Sequence, residues 1–191
     1  MDHFFQSLEG WFDEADKRIY DIAVDKFNSG SSFVEIGCYK GKSSCAMAVN
    51  IINSAKDIAF YCVDTWKGSP EHQLGEIWED ENVVQDNLYD VFRKNINPVK
   101  KYITPIRKSS LEAAKDFEDG SLEFIFLDAD HSYEAVKNDL CAWYPKLKSN
   151  GMMSGHDWKW DSVSDAVIDF AAEVKMDVFF DVNVWHFYKG E

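Results

Sequence analysis

Hydrophobic positions recur along this chain in two rhythms that alternate. Leu8, Trp11, Phe12, Ala15, Ile19, Ile22, Ala23 and Phe27 return at steps of three and four. That spacing predicts an amphipathic helix of about 18 residues, stopped by Asn28-Ser29-Gly30. Phe33, Val34 and Ile36 then form a short apolar run of strand type, after which Cys45, Ala48, Val49 and Ile52 restore the helical step. Ser43 or Ser44 is placed to cap that second helix. Ile58 to Val63 is a second buried strand ending at Asp64. The polar stretch 65–81 holds Gly68, Pro70 and Glu79-Asp80-Glu81 without a clear period and is expected to be a lid or loop.

Val84, Leu88, Val91 and Phe92 predict a further helix closed by Asn97-Pro98, and Tyr102 to Ile106 a third strand that Pro105 pushes to a sheet edge. Ser109-Ser110-Leu111-Glu112 has capping-box spacing and opens a short helix. Leu122 to Leu127 is the clearest buried strand of all. Val136, Leu140, Trp143, Tyr144 and Leu147 follow as a helix that Asn150-Gly151 is expected to end, and Met152 to Asp157 is the fifth strand with its exit. Val163 to Val174 carries the last helical stripe, and Val178–Phe180 pairs with Val184–Tyr188 across Asp181-Val182-Asn183. Five strand–helix alternations predict an α/β fold: a Rossmann-like doubly wound sheet, mostly parallel, with an antiparallel C-terminal hairpin strand. One domain over residues 1–191 accounts for the pattern, with 1–29 as an N-terminal helical segment.

Composition narrows the function classes. With 34 acidic against 20 basic residues the formal charge is -14, which argues against gripping a phosphate backbone or an anionic lipid surface. No apolar run approaches a membrane span, and the N-terminus lacks the pattern of a signal peptide, so a cytoplasmic protein is expected. Cys38, Cys45, Cys62 and Cys141 are far apart with no C-x-x-C pair, the pattern of free thiols in a reducing compartment. Oligomeric state is left open, a homodimer included.

Ligands of doubly wound sheets bind beyond the carboxyl ends of the strands. The turn Gly37–Gly41, Asp64, Ser109-Ser110, Asp128 and His156-Asp157 all fall there. The turn after strand one fits neither of two common phosphate loops: Tyr39 stands where a dinucleotide fingerprint needs its second glycine, and Gly37 comes one residue late for G-x-x-x-x-G-K-[ST]. Asp128 and Asp157, on neighbouring strands about 4.8 Å apart, could share an oxygen-ligated ion such as Mg²⁺. Adding His156 shifts the odds to Mn²⁺ or a softer metal. His131, three residues past Asp128, is the best placed general base for deprotonating an alcohol.

The stretches Val34-Glu35-Ile36-Gly37 to Ser44, Val63-Asp64-Thr65-Trp66, Leu127-Asp128-Ala129-Asp130-His131-Ser132-Tyr133 and Gly155-His156-Asp157 together resemble class I S-adenosylmethionine (SAM) methyltransferases. The resemblance is to the small sugar and macrocin O-methyltransferase and cephalosporin hydroxylase group, over about residues 30 to 160. It implies that Glu35, Gly37 and Gly41 hold the methionine half of SAM, with Tyr39 and Ser43 of the same loop beside them. It implies further that Asp64 takes the ribose hydroxyls, flanked by Thr65 and Trp66, and that Ser109 and Ser110 flank the adenine. Metal-dependent members place a divalent ion between carboxylates at positions matching Asp128 and Asp157, and where they carry a Glu-Asp pair this chain has His156-Asp157. The implied reaction is SAM-dependent O-methylation of a small hydroxylated acceptor such as a sugar. Two competing readings are a nucleotide-dependent phosphotransferase using Gly41-Lys42-Ser43 with Asp128, and a non-catalytic methyltransferase-like module that binds partners through its acidic lid.

Overall fold

The computed structural model describes residues 1–190. Seven strands form one sheet: β1 (Ser31–Ile36), β2 (Ile58–Asp64), β3 (Thr104–Arg107), β4 (Leu122–Leu127), β5 (Leu147–Gly155), β6 (Phe179–Asp181) and β7 (Val184–Tyr188). Their order is β3-β2-β1-β4-β5-β7-β6, parallel through β5 and antiparallel where β7 enters between β5 and β6. The expected doubly wound architecture with a closing hairpin is therefore what the chain adopts. Pro105 lies in β3, which pairs only with β2, so the missing N–H costs no ladder bond on its open side.

Alternation along the strands builds two apolar layers. Phe33, Phe124, Phe126 and Met152 pack on one face with α1 (Glu14–Lys26) and α2 (Lys42–Ser54). Val34, Ile125, Leu127 and Met153 pack on the other, where α6 (Tyr133–Trp143) and α7 (Asp161–Val174) cover the sheet. Three short helices, α3 (Glu81–Val84), α4 (Leu88–Asn95) and α5 (Ser110–Ala113), flank the β2–β3 side.

Three expected boundaries move. The first helix spans 13 residues because Asp13 caps it in a reciprocal box with Asp16. Leu8, Trp11 and Phe12 precede it in an irregular segment, and Ile22 of the expected apolar face is exposed. Asn150 and Gly151 do not end α6; it stops at Trp143, before Pro145, and both residues lie in β5. There Leu122 pairs with Leu147 but Phe124 with Met152, so the extra residues bulge and Asn150 takes a positive φ of 62°. Ser43 and Ser44 do not cap α2; Gly41 occupies the cap position in the left-handed region, which frees both hydroxyls for another partner.

Candidate active site

The strand ends converge on one cavity of about 680 Å³. Gly37, Asp64, Ser109, Asp128 and Asp157 all line it, although they come from the ends of five different strands. Gly37, with φ 86°, is required by close approach: a Cβ there would lie 1.9 Å from the carbonyl oxygen of Asp128. The glycine thus lets the β1 turn pack against the β4 turn. Gly41, with φ 83°, faces Phe92 and Ile96 and does not line the cavity, so its expected place in the ligand cradle is corrected to a structural one.

Glu35 is likewise not a direct contact. It is fully buried beneath the turn, where Tyr20 Oη donates at 3.2 Å, Ser44 Oγ at 2.5 Å and Cys62 Sγ at 3.6 Å, and Ser43 Oγ donates as well. Burial raises its carboxyl to about 7 despite these donors. Glu35 therefore supports the loop from below, while Ser43 reaches the cavity wall. Trp66 is also corrected: its indole is fully buried against Tyr89 and Phe92, donates to Tyr39 O at 3.1 Å, and lines no part of the cavity.

Asp64 organises the turn. Its Oδ2 accepts from Cys38 N at 2.8 Å and Tyr39 N at 2.9 Å, and its Oδ1 from Trp66 N at 2.7 Å. A carboxylate has about four lone-pair sites, so roughly one remains for a ligand at the cavity. Thr65 lines the cavity beside it. Ser109 caps α5 but donates its hydroxyl to Glu112 Oε2 at 2.6 Å instead of accepting from a backbone amide. Ser110 also lines the wall and accepts Trp143 Nε1–H at 2.8 Å.

The carboxylate cluster gathers the predicted chemistry. Asp128, His131 and Asp157 bring one donor atom each to within 4.8 Å of one another. His131 Nδ1 meets Glu71 Oε1 at 2.9 Å. Its Nε2 is 3.0 Å from Asp157 Oδ2, an ion pair, and 3.7 Å from Asp128 Oδ1, and is aligned for a hydrogen bond with neither. His156 Nδ1 lies 3.1 Å from Asp157 and 3.9 Å from Asp128, while its Nε2 faces Asp16 at 3.4 Å. Asn183 braces the group, with its Nδ2 at 3.3 Å from both Asp157 Oδ1 and His156 Nε2. Asp157 carries a positive φ of 56°, a backbone strain located at the site itself.

Burial alone would depress both imidazoles, but the facing carboxylates outweigh it and raise His131 and His156 to about 11. The same contacts outweigh burial at Asp157 and hold its carboxyl well below the usual range. A general base and a metal ligand must each offer a neutral imidazole nitrogen, so His131, charged in this arrangement, has to give up its Nε2 proton to serve as either. All three expected metal positions, Asp128, His156 and Asp157, are adjacent, and His131 joins them. Two carboxylates with imidazole fit a divalent ion of the Mn²⁺ type. The Glu71–His131 contact supplies the outer carboxylate that such ligands commonly use.

The lid and the N-terminal segment close the mouth. Trp11 stacks on His72 with centroids 5.6 Å apart, Tyr39 stacks on the same ring at 5.4 Å, and Trp78 meets Trp11 edge-on at 6.1 Å. Lys40 is buried and bridges Asp80 Oδ2 at 2.6 Å to Glu9 Oε1 at 2.8 Å, and Tyr39 Oη donates to the same Asp80 oxygen. Burial raises the Asp80 carboxyl, but Lys40 and Tyr39 more than offset this and lower it. Lys40→Met therefore leaves Asp80 facing the interior without its cation. Cleavage within 65–80 by a nonspecific protease is expected to speed up roughly tenfold; unchanged cleavage would show that the pair does not hold the lid.

Sequence reasoning missed Trp11, Glu71, Asn183 and Asp139, all of which line the cavity. Only Asp139 left a signal, since it shares the apolar stripe of Val136, Leu140 and Trp143 on α6. The phosphotransferase reading loses its residues: Lys42 Nζ donates to Gly10 O at 2.9 Å and Ser43 Oγ is spent on Glu35.

Comparison with known proteins decides the family. Residues 34–158, more than half of the chain, match the family described as a methyltransferase domain. The chain belongs to this family. Residues 34–158 form a methyltransferase domain. A curated relative, the uncharacterized protein y4gI of Sinorhizobium fredii, is 29% identical over 126 residues, 65% of this chain. That match spans 13% of the relative's length. Among solved structures, the O-methyltransferase NovP superposes with a TM-score of 0.67 at 17% identity, covering 92% of this chain and 81% of NovP. A SAM-dependent O-methyltransferase from Thermotoga maritima gives 0.68 at 9% identity, covering 97% and 68%. A Streptococcus mutans protein solved in complex with S-adenosylhomocysteine gives 0.62 at 10% identity, covering 94% and 99%. At such identities the likeness is one of fold. No helix of the described residues is long and apolar enough to cross a membrane.

Proposed function

We propose that this methyltransferase methylates a hydroxyl of a small, uncharged acceptor such as a sugar, with a divalent ion held by Asp128, His131 and Asp157 and flanked by His156. The observation that supports the reading is the cluster itself: Asp128, His131 and Asp157 each bring one donor atom to within 4.8 Å of the others. The ion pair with Asp157 satisfies His131 Nε2 as it stands, and a divalent ion would take the place of its proton between the two carboxylates. SAM when bound supplies the methyl on a sulfonium, and a divalent ion supplies Lewis-acid polarisation that lowers an alcohol's pKa.

The chain's own residues do the rest. Asp64 and the Gly37 turn fix the wall along which the cofactor would lie, and most of the rate of an in-line displacement comes from such placement. Glu71 and Asn183 fix the directions of His131 and Asp157. Trp11, Trp78 and lid residues such as Glu71 and His72 line the cavity. An uncharged acceptor follows from the cations: Lys42 is tied to Gly10 and Lys108 to Asp116, so neither ammonium in the lining is free for an anion.

Calorimetry tests this reading. S-adenosylhomocysteine is expected to bind and ATP is not, and Mn²⁺ is expected to bind the wild-type protein more tightly than Mg²⁺ does. ATP binding without any response to S-adenosylhomocysteine would reverse the assignment.

A further inference from the structure

The lid carries a histidine that the reading above leaves unused. His72 is 9% exposed, closes the turn Pro70–His72 and lines the cavity with Trp11 and Trp78. Its backbone is pinned on both sides: its own N–H donates to Ser69 O at 3.0 Å, and Asp80 N–H donates to its carbonyl at 3.1 Å. Its ring stacks on Trp11 and on Tyr39, with planes 12° and 27° apart. The ring is thus oriented before any ligand arrives. Its proton is placed as well. Ser69 N–H donates to His72 Nδ1 at 3.3 Å, so Nδ1 is bare and the neutral ring carries its hydrogen on Nε2. Burial favours that neutral form by lowering the ring's pKa. The bond from Ser69 is the only one this ring makes among the described residues. A donor so nearly buried calls for an acceptor atom, and the cavity is where one can arrive.

The seat of the lid indicates which molecule brings it. Glu71, the residue before His72, meets His131 Nδ1 at 2.9 Å, and Ser69 Oγ donates to Ala129 O at 3.2 Å. The turn that carries His72 therefore rests on the β4 turn that carries the cluster. Trp11 and Trp78, 55% and 47% exposed, add apolar faces on which a small ring can lie. A fixed, uncharged N–H beside such faces suits a neutral oxygen and repels an ammonium. We propose that His72 binds the methyl acceptor, its Nε2–H donating to a second oxygen of that molecule, other than the one methylated. The assignment rests on the O-methylation reading above. It adds the residue that selects acceptors with several oxygens over simple alcohols.

The test is transfer of labelled methyl from SAM, with Mn²⁺, to paired probes that differ by one oxygen: monosaccharides with their monodeoxy analogues, and catechol with phenol. Wild type, His72→Phe, His72→Asn and His72→Gln are compared, each checked by thermal melting. On the probe the wild type uses best, His72→Phe keeps a flat ring, loses the donor and is expected to raise the acceptor KM roughly tenfold, leaving the KM for SAM unchanged. His72→Asn keeps an acceptor for Ser69 N–H, withdraws the donor and is expected to do the same, which covers a His72→Phe chain that fails to fold. His72→Gln returns an N–H near the Nε2 position and is expected to recover most of the loss. Removing the matching oxygen from the probe is expected to cost the wild type about as much, roughly tenfold, and to cost His72→Phe nothing further. A purely structural role would move the melting temperature and leave the discrimination between paired probes alone. Discrimination that persists undiminished in both His72→Phe and His72→Asn, or a KM for SAM that rises with that for the acceptor, overturns the assignment. Wild-type protein that methylates none of the probes defeats the O-methylation reading itself, and the role of His72 with it.

Discussion

Asp128→Asn is expected to lower methyl transfer to any acceptor the wild type uses by roughly 100- to 1000-fold, the scale of removing Lewis-acid or preorganised charge from a reacting oxygen. The substitution keeps the shape of the side chain and removes its charge from the cluster where His131 Nε2 and His156 Nδ1 lie 3.7 and 3.9 Å from Asp128 Oδ1. Mn²⁺ affinity, followed by electron paramagnetic resonance, is expected to fall in parallel, while S-adenosylhomocysteine binding changes little. That division separates a ligand from a cofactor contact. Loss of S-adenosylhomocysteine binding with intact Mn²⁺ affinity would place Asp128 on the cofactor instead.

A second large effect concerns stability and Glu35. Its folded carboxyl is raised from 4.5 to about 7, chiefly by burial. Below the lower value both folded and unfolded chains hold the proton and the contribution is fully present. Between the two values the unfolded chain ionises while the folded one keeps its proton, so stability falls as pH rises. Above about 7 the loss is complete, at about 3 kcal/mol. Glu35→Gln cannot ionise; its Oε1 can still accept from Tyr20 and Ser43, while its Nε2 donates to Ser44 Oγ, which turns from donor to acceptor. Urea unfolding across pH 4 to 8 should therefore show the variant gaining on the wild type by about 3 kcal/mol from the acid to the alkaline end. A difference that stays constant with pH would mean that Glu35 ionises normally in the fold.

Much of this architecture was legible in the chain because burial on both faces of a parallel sheet leaves unbroken apolar runs, and Phe124 to Leu127 is such a run. Pro105 marked an edge for the same reason: a central strand has no room for a missing donor. The first helix was overdrawn because Leu8, Trp11 and Phe12 continue its spacing, although Asp13 and Asp16 carry the cap that stops it. Those aromatic residues follow the helical step while serving the cavity mouth.

The site was legible as a set of strand ends and less so as contacts. Gly37 and Gly41 look alike in sequence, yet one opens on the cavity and the other on Phe92, a difference that depends on where α4 packs. Trp66 stands only two residues past Asp64, but a positive φ of 53° turns it into the core. Glu71 and Asn183 come from loops whose approach to His131 and Asp157 only the folded topology creates. The pairing of His131 with Asp157, across 26 residues, belongs to the same class.

The most direct measurement is a crystal structure of the protein grown with S-adenosylhomocysteine and Mn²⁺, with anomalous data collected for manganese. The account predicts the nucleoside in the cavity beside Gly37 and Asp64 and an anomalous peak within about 2.3 Å of oxygens of Asp128 and Asp157 and a nitrogen of His131. A nucleoside bound outside that cavity, or manganese bound away from those three residues, would contradict it.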